Sequence, residues 1–321
     1  MQDLRDLYPI EIEFPDVDPY RKGNTGIDWL TSFDSGVSGP HVMIAALVHG
    51  NEPCGAVALD WLFKQETRPT RGRLSLAFMN VAAYKCFDRA APMASRYLDE
   101  DFNRLWSAEI LDGERTSREL ERARQVRPLV DTVDFLLDLH SMQHRVLPLV
   151  LAGSLPKGRA FAEMTGMPSM VVSDRGHEAG PRLRDYNGFG EADSPKNALL
   201  IECGQHWEEA ASPTAIEASI RFLRATGVVP ADFGADFLAR RPALVPQLFI
   251  EVTHAVTVHT DNFRFLHEYR GLEIVPEAET IIAYDDGEPV VTPYDHAVIV
   301  MPSCRLEKGT TAVRFGRYIQ R

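Results

Sequence analysis

The chain has 321 residues, of which 45% are hydrophobic and 25% are charged, a composition typical of a globular protein with a substantial core. Its net charge of −12 argues against a nucleic-acid surface, which requires clustered lysine and arginine. The amino-terminal stretch lacks a positive segment followed by an apolar core, and no apolar run approaches the ~18 residues of a membrane span. With four scattered cysteines, these features favour a cytoplasmic protein with free thiols and no membrane partner.

Short apolar runs alternate with helical patterns from about residue 41 to residue 227. Because successive residues are apolar, we expect buried strands covered on both faces, at 41–48, 73–80, 133–140, 147–153, 169–174 and 197–202. Helices are predicted at 53–65, 117–129 and 213–225, the last with Ser212 as its N-cap and Gly227 as its terminator. The pattern predicts an α/β domain over residues 1–240.

The last part of the chain has a different character. From about residue 241 it consists of β-rich segments separated by Gly, Pro and Asp, with no strong helical pattern. Residues 241–321 are therefore predicted to form a small all-β C-terminal domain.

A histidine and a glutamate follow the first buried run. His49 and Glu52 lie where the predicted strand turns into a helix, which is where α/β proteins bind ligands. His206 and Glu209 have the same spacing, but they lie in a polar stretch before a helix, where we expect solvated side chains. The first pair is thus the better candidate for metal binding, although a lone His-x-x-Glu is a weak signal.

A third ligand is expected from another strand end. Asp138 and His140 are two residues apart on a predicted strand, so their side chains share one face. His140 is suited to bind the metal, and Asp138 to accept the free N–H of a ligating histidine. The pair His140 and His144 is a weaker alternative, because Ser141 stands where the helical metalloprotease motif needs Glu. A purely structural role for these polar groups is the other interpretation.

A polar loop and a carboxylate at a strand end can each be read as functional or as purely structural. Arg96, Asn103 and Arg104 lie in a polar loop, which is either solvated or a ligand-binding segment. Glu202 ends an apolar strand, where a carboxylate is either a hydrogen-bonded structural group or a catalytic group in a cleft. The residues alone leave both alternatives open.

Together these segments resemble the succinylglutamate desuccinylase/aspartoacylase family, a branch of the zinc carboxypeptidase superfamily. The motifs, in the family's order and at similar separations, are "HGNE" (49–52), "RYLDEDFNR" (96–104), "DLH" (138–140) and "IECG" (201–204). The tail also resembles the family's C-terminal domain, in "DNFRF" (261–265), "AYDDG" (283–287) and "VIVMP" (298–302). The resemblance implies a zinc-carboxypeptidase-like mixed sheet flanked by helices, with the all-β domain capping the active site.

The resemblance also implies residue roles. One zinc ion per chain would be held by His49, Glu52 and His140. Glu202 would be the general base toward a zinc-activated water, and Arg96 would polarise the scissile carbonyl. The substrate's α-carboxylate would be bound by Asn103 and Arg104. The implied enzyme is a zinc-dependent amidohydrolase that deacylates a small N-acyl amino acid, and a homo-oligomer is compatible with the sequence.

The residues that would bind the acyl side of the substrate are less clear from the sequence. Aspartoacylases place an arginine some ten residues before the catalytic glutamate, whereas "EADSPKN" (191–197) contains none. The nearest candidates are Arg182, Arg184 and Tyr186 in the Gly-rich segment 176–190, which we expect to act as a lid. A carboxypeptidase acting on peptide C-termini shares every motif. A non-catalytic zinc-binding protein is a third hypothesis, disfavoured because such a protein needs no base at Glu202.

Overall fold

The computed structural model describes residues 8–176 and 178–320. The strands are β1 (Leu30–Asp34), β2 (His41–Ala46), β3 (Arg73–Phe78), β4 (Phe135–Met142), β5 (Leu149–Leu151), β6 (Met170–Ser173), β7 (Asn197–Gln205), β8 (Leu248–Thr257), β9 (Phe263–Phe265), β10 (Ile274–Val275), β11 (Ile281–Asp285), β12 (Glu288–Val291), β13 (Ala297–Val300) and β14 (Thr311–Ile319). The α-helices are α1 (Cys54–Lys64), α2 (Val81–Lys85), α3 (Ala108–Asp112), α4 (Arg118–Val130), α5 (Pro156–Thr165), α6 (Ala211–Thr226) and α7 (Ala235–Leu238).

Eleven of these strands form one mixed sheet in the order β1-β3-β2-β4-β7-β5-β6-β8-β14-β13-β10. Its centre, β3-β2-β4-β7, is parallel, whereas β1 and β5 pair antiparallel to β3 and β7. All six predicted apolar runs form strands of this sheet, and the predicted fold class is confirmed. Strand β1 and helix α5 had no counterpart in the sequence-based prediction.

Helices cover both faces of the sheet centre. Val42, Ile44 and Ala46 of β2 pack in one core with residues of α1, α5 and α6. Met43 and Ala45, which point to the opposite face, pack in a second core with residues of α4. Every residue of β2 is buried, which explains why its sequence is apolar at successive positions.

The beginning of α6 differs from the prediction. The helix starts at Ala211, so the assignment of Ser212 as N-cap is wrong. Pro213 then occupies the third helical position, where a missing N–H costs little because the first four N–H groups have no intrahelical partner. Gly227 ends the helix with a φ of +68°, as predicted.

The C-terminal strands extend the main sheet. Strand β8 pairs in parallel with β6 and antiparallel with β14, so the sheet continues from the α/β part into the β-rich part. Strands β9, β11 and β12 form a separate three-stranded sheet beside it. Among the described residues no helix has the length and apolar character needed to cross a membrane. The cytoplasmic location stays a prediction.

Candidate metal centre and active site

The backbone after β2 turns sharply to present His49 and Glu52. Leu47 has a φ of +59°, a left-handed conformation that costs a non-glycine residue ~1 kcal/mol or more and is often found at functional sites. A hydrogen bond of 2.8 Å from the Asn80 N–H to the Leu47 carbonyl holds this turn. His49 and Glu52 therefore lie at the sheet edge, just before α1.

Gly50 brings a second segment against this turn. A Cβ atom at position 50 would lie 2.4 Å from the backbone oxygen of Ser95 and equally close to the backbone of Ala83 and Tyr84. The Gly50 N–H donates to the Arg96 carbonyl at 3.0 Å. Glycine at this position thus allows the loop that carries Arg96 to reach the candidate metal ligands.

Strand register places the other two polar groups side by side. In the parallel pair β4 and β7, His140 is the register partner of Glu202. Both lie toward the carboxyl ends of their strands, at the same edge as the end of β2. The sheet itself therefore brings together three motifs that are far apart in the chain.

His49, Glu52 and His140 form a buried cluster suited to a metal ion, with ligand atoms within 4.8 Å of one another. Nδ1 of His49 lies 2.8 Å from one Glu52 oxygen, and Nδ1 of His140 lies 3.0 Å from the other. The opposite nitrogens face carboxylates, because Nε2 of His49 and of His140 lie 3.0 Å from Asp101 and Asp138, respectively. An outer carboxylate that holds the Nε2 proton leaves the Nδ1 lone pair for a metal.

Electrostatics also favour a cation here. Burial alone would raise the pKa of the Glu52 carboxyl, but His49 and His140 outweigh it and hold that pKa well below its usual value. Burial would lower the pKa of His140, yet Asp138 and Glu52 raise it well above normal. The cluster thus stabilises positive charge away from water, and two imidazoles with one carboxylate are a common donor set for catalytic zinc. The residues present fit zinc.

Glu202 lies beside this cluster without sharing its contacts. Its side chain is buried, and Oε2 has no hydrogen-bond partner among the described residues. Burial, offset only in part by His140, raises the pKa of the Glu202 carboxyl to about 8. A carboxyl group that titrates near neutral pH and faces a cavity is suited to proton transfer.

The predicted substrate-binding loop lines the same cavity. Arg96 donates to Glu52 at 3.0 Å and to Asp101 at 3.3 Å, so its guanidinium lies against the metal cluster. Asn103 accepts a hydrogen bond from the Leu183 N–H at 2.8 Å. Arg104 is half-buried and approaches Asp101 at 4.0 Å. Burial lowers the pKa of this guanidinium, with Arg96 and Arg182 adding to the effect and Asp101 opposing it.

The two other predicted arginines are fixed in place by aspartates. Arg182 lines the cavity, but its guanidinium donates to Asp174 at 2.8 and 2.9 Å and to Asp185 at 2.6 Å. Arg184 lies outside this cavity and lines a neighbouring surface cleft of about 520 Å³. It binds Asp185 and two backbone carbonyl oxygens.

The segment expected to be a lid packs against the site loop. A Cβ at Gly180 would lie 2.3 Å from the Arg104 carbonyl oxygen, so glycine here permits close packing. Leu183 and Phe189, further along the segment, are buried in the core beneath α4. This part of the segment forms a wall of the site.

The cavity has a volume of about 230 Å³, below the ~300–1,000 Å³ of sites for drug-sized ligands. Its C-terminal wall is lined by several residues from the strands and loops after β12, namely Met301, Pro302, Ser303, Arg305, Glu307, Thr310, Thr311 and Arg314. Arg305 also donates to the Tyr97 hydroxyl at 2.8 Å, which links this wall to the loop of Arg96. The site is therefore built from both parts of the chain.

Three residues of the site were missed or misread in the sequence. Asp101 lies 3.0 Å from Nε2 of His49 and was missed, although its position within the "RYLDEDFNR" motif could have indicated a role in the site. Arg314 lies in the apolar run of β14, and a charge between Val313 and Phe315 was the signal for an inward-facing group. His206 was expected to be solvated, and this is wrong: the side chain is 1% exposed and lines the cavity, whereas Glu209 is exposed as predicted.

Solved structures share this fold over most of their length. Succinylglutamate desuccinylase from Vibrio cholerae has a TM-score of 0.66 and 13% identity, covering 91% of this chain and 86% of that one. The ectoine utilization protein EutE (DoeB) from Ruegeria pomeroyi has a TM-score of 0.59 and 15% identity, covering 92% of each chain. An aspartoacylase family protein from Mesorhizobium loti has a TM-score of 0.59 and 15% identity, covering 94% and 93%. At these identities, the likeness establishes the fold.

The sequence comparisons are more specific about ancestry. No curated protein sequence matches the chain significantly. The family described as the succinylglutamate desuccinylase/aspartoacylase catalytic domain matches residues 38–225, more than half of the chain. The predicted resemblance is confirmed, and the chain belongs to the succinylglutamate desuccinylase/aspartoacylase family.

Proposed function

We propose that this protein is a zinc-dependent hydrolase that cleaves the amide bond of a small N-acyl amino acid. One observation carries the proposal. The buried cluster of His49, Glu52 and His140 shares a cavity with the Glu202 carboxyl, whose Oε2 has no hydrogen-bond partner among the described residues, and with the guanidinium of Arg104. Family membership supports it, as do structural neighbours named succinylglutamate desuccinylase and aspartoacylase family protein.

The metal would be held by His49, Glu52 and His140. When bound, zinc supplies a water of lowered pKa and Lewis-acid polarisation of the amide carbonyl. Asp101 and Asp138 lie 3.0 Å from the Nε2 atoms of the two imidazoles, where a carboxylate would orient each ring with Nδ1 toward the metal. At this end of the cavity, the protein therefore contributes three ligand side chains that are already arranged to bind one metal ion.

Proton transfer falls to Glu202. Its carboxylate accepts the proton of the attacking water and returns it to the leaving amine nitrogen, so that one side chain serves both steps. A pKa raised by burial to about 8 brings the group close to the pH at which both transfers are efficient. The metal and nearby cations would lower this value in the working enzyme.

Substrate orientation falls to the loop of residues 96–104. Arg96 lies against the metal cluster, where it meets charge that develops on the carbonyl oxygen. Arg104 presents to the cavity a half-buried guanidinium suited to bind a carboxylate through two hydrogen bonds, and the Asn103 amide nitrogen would be the adjoining donor. The small cavity favours one acylated amino acid over a longer peptide.

The test is hydrolysis of a panel by the purified, zinc-loaded protein. The panel contains N-acetyl and N-succinyl amino acids, their α-amides and blocked tripeptides. We expect turnover of at least one N-acyl amino acid with a free α-carboxylate, abolished by a chelator and restored by zinc. Comparable kcat/KM on the tripeptides would instead indicate a carboxypeptidase, and tight zinc binding without any turnover would indicate a non-catalytic protein.

A further inference from the structure

His206 is a buried histidine in the active-site cavity to which the proposed mechanism gives no role. It directly follows β7, four residues after Glu202, and its backbone N–H donates to the Met142 carbonyl at 2.8 Å. Its imidazole lies within the electrostatic influence of Glu52, Arg96 and the two candidate histidine ligands. The ring also lines the cavity and contacts Ser141, whose N–H donates to Glu52, so it lies close to the metal cluster.

One ring nitrogen of His206 is held and the other is not. Nδ1 lies 2.9 Å from the Ser141 hydroxyl oxygen. Nε2 has no hydrogen-bond partner among the described residues. Ser141 is itself fixed, because its N–H donates to Glu52 at 3.1 Å. The serine thus ties the orientation of the imidazole to the metal cluster.

A buried polar atom without a partner costs ~1–3 kcal/mol, and beside a cavity it is available to a ligand or to water. His206 is not part of the metal-binding cluster found among the described residues, which comprises His49, Glu52 and His140. Burial, reinforced by Arg96 and the two histidines against the effect of Glu52, lowers the pKa of His206 to about 3. The imidazole is therefore neutral near pH 7. In the tautomer that fits the site, the Ser141 hydroxyl would donate to Nδ1 and the ring proton would lie on Nε2.

We propose that His206 is a catalytic residue that donates a hydrogen bond from Nε2 to the substrate's scissile carbonyl oxygen as this oxygen gains negative charge. His206 would be a neutral donor to this oxygen, and Arg96 would be a charged one. Ser141 is the positioning residue that sets the ring's tautomer. This assignment rests on the proposed amide hydrolysis. It adds a catalytic residue that lies outside the four family motifs, which contain the other proposed site residues.

The experiment uses zinc-loaded protein and the best substrate of the panel, with His206→Ala, His206→Gln and Ser141→Ala. Removal of one such donor typically costs ~10²–10³ in rate, so we expect His206→Ala to lose this factor in kcat with little change in KM. Zinc content and the acid limb of the pH profile should not change. His206→Gln should recover at least about ten-fold, because its amide nitrogen can occupy the position of Nε2.

His41 is the matched control. It is also a buried histidine paired with a serine, since Nε2 lies 2.8 Å from the Ser75 hydroxyl, but its Nδ1 contacts Thr132 and it begins β2, far from the sheet edge that carries the site. His41→Gln should alter thermal stability and leave kcat unchanged. If His206→Ala does not fold, Ser141→Ala carries the test, with an expected loss of about ten-fold in kcat at constant KM.

Several outcomes would overturn the assignment. A His206→Ala enzyme with near-normal kcat would show that the ring only packs. Loss of zinc would identify a ligand instead, and a His206→Gln enzyme no better than His206→Ala would exclude hydrogen-bond donation. A wild type that hydrolyses no member of the panel would overturn the proposed function, and this assignment with it. Normal wild-type turnover with an unaffected variant would overturn this assignment alone.

Discussion

The two ends of the cavity are built in different ways. At the metal end, His49, Glu52 and His140 come from ends of adjacent parallel strands, and each belongs to a short motif. At the opposite end, Arg104, Arg182 and Arg314 come from a loop, a wall segment and a C-terminal strand, and they gather near Asp174. The first end is fixed by the register of one sheet, whereas the second depends on contacts between distant segments. Single substitutions at the metal end should therefore have large effects on kcat. Substrate preference should depend on how several segments pack at the arginine end.

The strongest test of the metal end is loss of a ligand. His140→Ala should abolish tight zinc binding and all measurable turnover, because two ligands cannot replace the tetrahedral set of three residues and one open position. Metal content per chain after gel filtration measures the effect. His206→Ala is the control and should keep its zinc; if it loses the metal instead, the wrong His-x-x-Glu pair has been assigned.

Removal of the base comes next. Glu202→Gln should retain zinc and fold normally but lose about 10² or more in kcat, because the amide cannot accept a proton. Metal analysis and steady-state kinetics on the same preparation separate the two effects. Near-normal turnover would remove Glu202 from the mechanism.

Arg104→Ala tests whether the arginine end of the cavity binds the substrate's α-carboxylate. Loss of one partner of a buried charge pair costs roughly 2–5 kcal/mol, and this loss should appear in kcat/KM for an N-acyl amino acid. Wild type should also discriminate against the α-amide of the same substrate, because an amide leaves the guanidinium unpaired. Equal rates on acid and amide would refute this role for Arg104.

The burial of Glu202 predicts a pH effect on stability. In zinc-free protein the folded state keeps a proton on this carboxyl up to a pKa of about 8, whereas an ordinary value is 4.5. The stabilisation is present at low pH and is lost as the pH rises through this window, by at most about 1.4 kcal/mol per pH unit. Denaturant unfolding between pH 5 and pH 9 measures this slope. Glu202→Gln should lack this component, and an identical slope in the variant would contradict it.

The smallest effect on activity is expected from Arg184→Gln. Arg184 lies outside the cavity and binds Asp185 and backbone carbonyl oxygens. Breaking this buried pair should cost ~3–5 kcal/mol of stability, while kcat/KM of the folded enzyme stays near normal. Thermal unfolding and kinetics are measured together, with Arg182→Gln compared as the cavity-lining neighbour. A substrate-specific loss in Arg184→Gln would return this residue to the substrate site.

Prediction from sequence succeeded where local pattern and strand register coincide. His49, Glu52 and His140 each follow or end an apolar strand, so adjacent parallel strands were bound to bring them to one edge. The fold class followed from the same apolar runs.

Prediction failed where a residue's surroundings come from elsewhere in the chain. His206 appeared solvated because its neighbours in sequence are polar, but β7 continues to Gln205 and carries it under Ser141. Arg184 was a candidate for the acyl side, but its side chain lines the neighbouring cleft and binds Asp185 and two backbone carbonyl oxygens from other segments. Nor does any local pattern pair Arg314 of β14 with Asp174 of the α/β part.

The continuity of the main sheet has a mechanical consequence. The hydrogen-bond ladders β6–β8 and β8–β14 tie the strand that carries Arg314 to the same rigid layer as the metal ligands. A hinge between the two parts of the chain would have to break one of these ladders, so the enzyme is not expected to open as a clamshell during turnover. Arg305, in the loop between β13 and β14, donates to the Tyr97 hydroxyl and so joins the C-terminal lining of the cavity to the loop of Arg96 without any domain closure.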